Sequence, residues 1–556
     1  MPKETTVKRT HPHTRKFASA ALILALGGVL ASCAATPGAA GGDSALVGTQ
    51  EEVAPGFLAV AAENDATGAA TVQVDYDTQE ADGLDPQTAQ TARSWMIMGL
   101  VYETLVTTDE NFTVQPGLAT EWSQPDDTSY VFTIDTNAKF SNGRTVTTQD
   151  VAGSLNRLVA GGGVWSGQVG PITSVTATDD TTVTVKLDRP YAPFLASLAN
   201  TPAAVLPMKE IEAGSVDLKT EMLGTGPYAV ASHRQDEAWK FTANPEWRNA
   251  KSLHITDLTL QIVGQESTRQ AALREGSADF VNFNNVDSLT LLSDSKTAKV
   301  VNQLQSDYYY LNINSQRPDS PLANEDVRFA INSAIDRQAI ADIVLAGESA
   351  PTGVTPSNLP GACSVADLPS TTTTVEAAKK LIEDSGEGPI TLNLLVYTEE
   401  PIFAQMSQLI QQQLATIGVT VKIEQYDTAT FTERVFTSQP GNFDLALSWF
   451  AGYSDPSMIT RWWNPEVAGF NVGFTGSHDD LNKLIEQGSS ETDPSAREKT
   501  FTELCAVADQ YAEILPLVHR PALLGYNTET ISPTIQSTEG TGNFLRHIGA
   551  FTRVGK

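Results

Sequence analysis

The chain has 556 residues, with 36 Lys plus Arg against 66 Asp plus Glu, giving a formal net charge of −30. That balance excludes a nucleic-acid-binding surface, which needs a clustered cationic face, and weakens any hold on anionic lipid by charge alone. At 41% hydrophobic and 18% charged residues, the composition suits a folded chain of roughly two to four domains and is too apolar for disorder.

Lys8, Arg9, Arg15 and Lys16 precede an apolar run from Phe17 to Leu30. The run is shorter than the roughly 20 residues that span a bilayer as a helix, so it reads as a secretory signal. It closes on Leu30-Ala31-Ser32-Cys33, which resembles the bacterial lipobox, where a cysteine takes a diacylglycerol thioether before cleavage. Residues 1–32 are therefore expected to be a lipoprotein signal peptide and Cys33 the lipidated residue. The Ala-, Gly- and Thr-rich stretch 33–70 reads as a flexible tether. Each buried acyl methylene contributes about 0.8 kcal/mol, so two or three chains suffice to hold the body on the extracytoplasmic face of the cell membrane.

Beyond the tether, alternation predicts strands at 72–76 and 130–134. Thr147 and Asp150 form a capping-box pattern ahead of a helix carrying Val151, Leu155 and Leu158, stopped by Gly161-Gly162-Gly163. Runs 173–178 and 182–187 flank Asp179-Asp180-Thr181 as a hairpin. From about 306 the pattern changes. Asn324 and Asp336 each cap a helix, and strands at 390–397, 419–425 and 443–449 alternate with helical stretches at 402–417 and 430–437. That spacing predicts a parallel sheet covered by helices, with ligand bound beyond the strands' carboxyl ends near 450–463.

Catalytic signatures are absent. Ser293-Asp294-Ser295-Lys296 fits S-x-x-K but lacks the elements that accompany it in penicillin-binding enzymes. His233, His254, His478, His519 and His547 are not paired at metal-ligand spacing, and no zinc pair of cysteines occurs. No metal, cofactor or catalytic residue is expected. Cys363 and Cys505 lie in an oxidising compartment and allow a disulfide, although Cys505 also suits a buried free thiol on a helix with Phe501, Leu504 and Ala508.

An ordered set of segments then stands out: Leu84-Asp85-Pro86, Val101-Tyr102-Glu103-Thr104-Leu105, Gly117–Trp122, Phe140-Ser141-Asn142-Gly143-Arg144, Gly224-Thr225-Gly226-Pro227-Tyr228, Val327–Asn332, Asp336-Arg337 and Leu515-Pro516-Leu517. Together they resemble family 5 extracellular solute-binding proteins, the receptors of peptide and nickel ABC importers. The resemblance implies an α/β, two-lobed periplasmic-binding-protein-like clamshell of type II. Lobe I would take 71–305, with an extra subdomain inserted at about 104–223, and lobe II 306–514, with 515–556 returning to lobe I. It also implies a monomeric, non-enzymatic receptor that closes on its solute and docks on permease subunits.

Peptide-binding members place an aspartate three residues after the tryptophan of the loop matching Trp449–Pro456, where it pairs with the peptide ammonium. Gly452 stands at that position, and Asp455 is a nearby substitute or a turn element. Trp449, Tyr453, Trp462 and Trp463 are expected to wall the site, with Tyr310, Asn285 and Trp95 as further candidates. An oligopeptide or peptide-like solute fits best. A sugar-like solute or metal chelate, or a lipid-anchored enzyme or sensor reusing the fold, are the alternatives.

Overall fold

Strict alternation brings Val72 and Val74 into line with Leu260 and Ile262 on the neighbouring strand, and Val72, Val74 and Leu260 lose all solvent contact. This pairing is the centre of a seven-stranded sheet in the computed structural model. The structure describes residues 57–58, 65–78, 83–109, 112–161, 165–303, 305–450, 452–468, 470–533, 536–537 and 543–554. The expected signal peptide, Cys33 and most of the tether lie outside them. The tether's assigned end overlaps the first strand of the sheet, Gly68–Val74.

Across the sheet the strands run 298–303, 522–527, 280–283, 68–74, 255–262, 238–243 and 228–234. Strands 255–262 and 280–283 flank 68–74 in parallel, and the remaining neighbours are antiparallel. Inserted into this lobe is a four-stranded antiparallel sheet of 119–126, 129–134, 182–187 and 172–177. The helix Thr148–Ala160 packs on it. Its start is the expected capping box: the Thr147 hydroxyl accepts from the Asp150 N–H, and the Asp150 carboxylate accepts from the Thr147 N–H at 2.9 Å.

The second lobe is built on a five-stranded sheet in the order 420–426, 391–397, 445–450, 308–313, 514–519. The sequence predicts this sheet as parallel, and it is mixed. Strand 391–397 pairs in parallel with both neighbours, whereas 308–313 is antiparallel to both of its own. The strand–helix–strand periodicity covers only 391–450. Strands 308–313 and 514–519 come from either side of it, and no local signal gives their direction. The boundary at 515 also moves. Ile514–His519 belongs to the lobe II sheet, and the chain returns to lobe I only at 522–527.

The segments that carry the family resemblance are fold-holding pieces. A Cβ on Gly226 would come within 2.6 Å of the Val101 carbonyl oxygen, which the Gly226 N–H itself approaches at 2.7 Å. Arg144 bridges Asp150 at 2.7 Å and Glu210 at 2.6 Å. Arg337 donates to the Pro516 carbonyl and to Asn332, tying a helix start to strand 514–519. Cys363 and Cys505 form a disulfide, which settles the alternative left open by the sequence.

Candidate functional site

Two short crossings join the lobes: 305–307 precedes strand 308–313 after strand 298–303, and 520–521 leads from 514–519 back to 522–527. They run side by side. The Arg520 N–H donates to the Asp307 carbonyl at 2.9 Å, and the Gln305 amide donates to the Arg520 carbonyl at 3.0 Å. A cavity of about 50 Å³ opens against this pair, lined from lobe I by Asp75, Arg93, Asn282 and Asn284 and from lobe II by Trp449. Asp307 and Arg520 line it from the crossings themselves.

Its charges sit in a dry setting. Arg520 lies 3.6 Å from Glu400 and 3.8 Å from Asp307, and its guanidinium stacks 4.4 Å over the Trp449 ring. Burial lowers the Arg520 proton affinity, but the neighbouring Glu400 and Asp307 outweigh that and hold the guanidinium firmly charged. Asp307 is 2% exposed, and burial pushes its pKa up to about 6 against the pull of Arg520 and of the Gly452 N–H, which donates to it at 2.8 Å. On the lobe I wall burial acts on Asp75 in the same direction. There the charges of Arg93 and Arg269 and the amides of Asn282 and Asn284 outweigh it, and the Asp75 pKa ends below its usual value.

Asp307 and His519, the last residue of strand 514–519, titrate with opposite effects on stability. His519, buried beside Arg520, has its pKa lowered to about 4 by burial. Its stabilising contribution is complete above pH ~6.5 and is lost as the pH falls from there through 4, amounting to about 3 kcal/mol. Asp307, raised to about 6, contributes stability that is full at low pH and lost as the pH rises through 6. Replacing His519→Gln removes only the first effect. The melting temperature of the variant relative to wild type is expected to climb steadily from pH 7 to pH 4.5, and a constant difference would contradict this assignment.

The residues expected from sequence fall into distinct places. Trp449 lines the cavity, and Gly452 touches it through its bond to Asp307. Tyr453 and Trp462 stack on each other with centroids 6.5 Å apart, and Tyr453 also meets Trp165 of the inserted subdomain at 5.5 Å. Trp95 lies behind that subdomain tryptophan at 5.3 Å, with its ring N–H on the Pro86 carbonyl. Trp463 is buried, and its ring nitrogen has no partner among the described residues. Tyr310 packs edge-on against Phe450 within the sheet. Asn285 caps locally, to Glu266 and Asp287, while its neighbour Asn284 reaches the cavity.

Asp455 is fully engaged. It caps the helix Pro456–Thr460 through the Ser457 N–H and receives two hydrogen bonds from Arg497, at 2.6 and 3.0 Å. The sequence reasoning did not single out Arg93, Asp75, Asp307 or Arg520. For the last two a signal existed: Asp307 directly precedes the buried Tyr308–Ile313 strand, and Arg520 interrupts the apolar run from Ile514 to Tyr526. His478 bonds Glu513 at 3.1 Å and stacks on Tyr511. No cluster able to hold a metal ion occurs among the described residues.

Comparison with known proteins agrees with this architecture. The chain is 26% identical over 466 residues to the probable D,D-dipeptide-binding periplasmic protein DdpA of Escherichia coli K12, covering 80% of this chain and 88% of that protein. Among solved structures, the periplasmic binding protein DppA of Helicobacter pylori, in complex with the peptide STSA, superposes with a TM-score of 0.76 at 21% identity, covering 88% of this chain and 99% of its own. NikZ of Campylobacter jejuni, in complex with Ni(L-His), gives the same TM-score at 17% identity, covering 87% and 99%. Both are two-lobed binding proteins and establish the fold. Residues 113–470 match the family model of bacterial extracellular solute-binding proteins, family 5 middle region, and the chain belongs to that family.

Proposed function

We propose that this protein is a lipid-anchored extracytoplasmic receptor that captures a peptide or peptide-like solute between its lobes and delivers it to the permease of an ABC importer. The observation that carries this reading is the cavity itself, which draws its lining from both lobes and from both crossings between them. Its volume of about 50 Å³ is far below the roughly 300–1,000 Å³ of small-molecule pockets, so a peptide-sized solute enters only when the lobes stand further apart. Movement at 305–307 and 520–521 supplies that opening.

DdpA, by its name, handles a D,D-dipeptide, and this similarity supports a peptide-like cargo. The loop lacks the aspartate that would take a free peptide ammonium, and the N–H at Gly452 is already committed to Asp307. The recognition of charge thus falls to the crossings and to lobe I.

Two results test the reading. Saturable stabilisation by a peptide pool, following RT ln(1 + [L]/Kd), is expected in melting curves of the mature protein. Cys33→Ser should move the protein from the membrane to the soluble fraction of cells, because the acyl chains supply the anchor. Retention of the variant on the membrane would contradict the lipid anchor.

A further inference from the structure

The lobes also touch away from the crossings, where the inserted subdomain meets lobe II. The Trp165 ring lies 5.5 Å from that of Tyr453, and the Ala192 N–H donates to the Ser489 carbonyl at 2.7 Å. The Arg461 guanidinium of lobe II donates to the Gly167 carbonyl and to the Tyr191 hydroxyl of the subdomain. None of these residues lines the cavity.

Each partner is shaped locally for the contact. Ser489 ends the helix Asp479–Ser490, where the last carbonyls have no acceptor role inside the helix, and Ala192 supplies a donor from the other lobe. The Tyr191 hydroxyl gives its own proton to the Gln168 carbonyl at 3.0 Å, which turns its oxygen's lone pairs toward Arg461. A Cβ on Gly167 would come within 2.7 Å of a terminal nitrogen of Arg461, so the guanidinium reaches the backbone only because no side chain stands there.

Arg461 is divided between the lobes. One terminal nitrogen donates to Gly167 of the subdomain, and the other to the Val467 carbonyl of its own lobe at 2.7 Å. The planar fork spans both acceptors at once. When the lobes part, the bond to Val467 persists, whereas those to Gly167 and Tyr191 break and water replaces them. Their net contribution therefore exists in the closed form alone, and a difference of that kind is what shifts an equilibrium between two states.

Resting on the receptor reading, we propose that Arg461 is a clasp between the inserted subdomain and lobe II, which sets the share of solute-free protein that stands closed and through it the affinity for solute. Only the closed form grips solute from both lobes, so the apparent Kd is the intrinsic value divided by the closed share. Arg461 acts here as a positioning residue, through the lobes and not through contact with the cavity.

The test uses the mature body, freed of solute by dialysis out of denaturant with its disulfide intact, as wild type, Arg461→Met, Arg461→Lys and Gly167→Ala. Small-angle scattering of the solute-free proteins is expected to give a larger radius of gyration for Arg461→Met and Gly167→Ala than for wild type. A saturating tripeptide pool should return both to the wild-type value. Their apparent affinity for that pool should fall roughly threefold to thirtyfold, with an intermediate loss for Arg461→Lys, which keeps one donor for Gly167 but no fork. Gly167→Ala displaces the guanidinium from the opposite lobe, leaves the Val467 bond in place and meets no backbone strain, because Gly167 is not at positive φ. If Arg461→Met fails to fold, Gly167→Ala decides.

A solute-free radius of gyration equal to wild type in Gly167→Ala and in Arg461→Met overturns the proposal, as does an affinity within twofold of wild type in both. A tripeptide pool that fails to bind wild type counts against the peptide reading instead, and the scattering of the solute-free proteins then decides the clasp by itself.

Discussion

Removal of the disulfide by replacing Cys363 and Cys505 together with alanine is expected to lower the melting temperature by roughly 5–12 °C. The two cysteines are 142 positions apart, with Cα atoms 5.7 Å from each other. Closing a loop of that length removes about 5 kcal/mol of denatured-state entropy in the chain model, and native bridges typically contribute 2–5 kcal/mol. The bridge pins the loop before Cys363 to the long helix Pro494–Tyr511. Both sulfurs are buried, and the Thr355 hydroxyl lies 3.2 and 3.5 Å from them. Reducing agent should shift wild type to the melting temperature of the double variant and leave the variant unchanged. A double variant that melts with wild type would contradict this account of lobe II stability.

The second large effect is at Asp455. Asp455→Ala is expected to cost about 2–4 kcal/mol, read as a fall in the urea midpoint, because it takes the carboxylate partner from the half-buried Arg497 and removes a helix cap together. Arg497 makes two bonds to Asp455, one to the Gly488 carbonyl and one to the Ser457 hydroxyl, and stacks 5.0 Å over Phe501. Removing both charges, as Asp455→Leu with Arg497→Met, should recover part of the loss, since no half-buried guanidinium is then left without its carboxylate. If Asp455→Ala unfolded like wild type but bound solute poorly, the residue would be a ligand contact after all.

Much of the fold was legible because its signals are local. The Thr147–Asp150 capping box, the Asn324 and Asp336 caps and the hairpin around 179–181 each depend on residues within a turn of one another. The ordered segments of the family resemblance were legible for a related reason. Gly226 admits a close backbone approach, and Arg144 and Arg337 lock elements together, so they report architecture rather than cargo. Sheet direction failed where it depends on strands far apart in sequence, as with 308–313 between 445–450 and 514–519.

The site was harder to read. Trp449 was visible because aromatic residues crowd one loop, but most of those rings stack on each other and on the inserted subdomain rather than on the cavity. Arg93, Asp307 and Arg520 come from three distant segments, and only the adjacency of the two crossings brings the last two together. Single charged residues at strand ends are common on surfaces. Asp307 is buried where the two crossings run side by side, which no periodicity records.

The central claim is that the two lobes enclose a solute, and native mass spectrometry of protein lacking residues 1–33, purified without refolding from cells grown in rich medium, tests it most directly. The account predicts a discrete adduct that disappears on unfolding. A spectrum showing only the bare polypeptide mass, unchanged after incubation with a peptide pool, would contradict it.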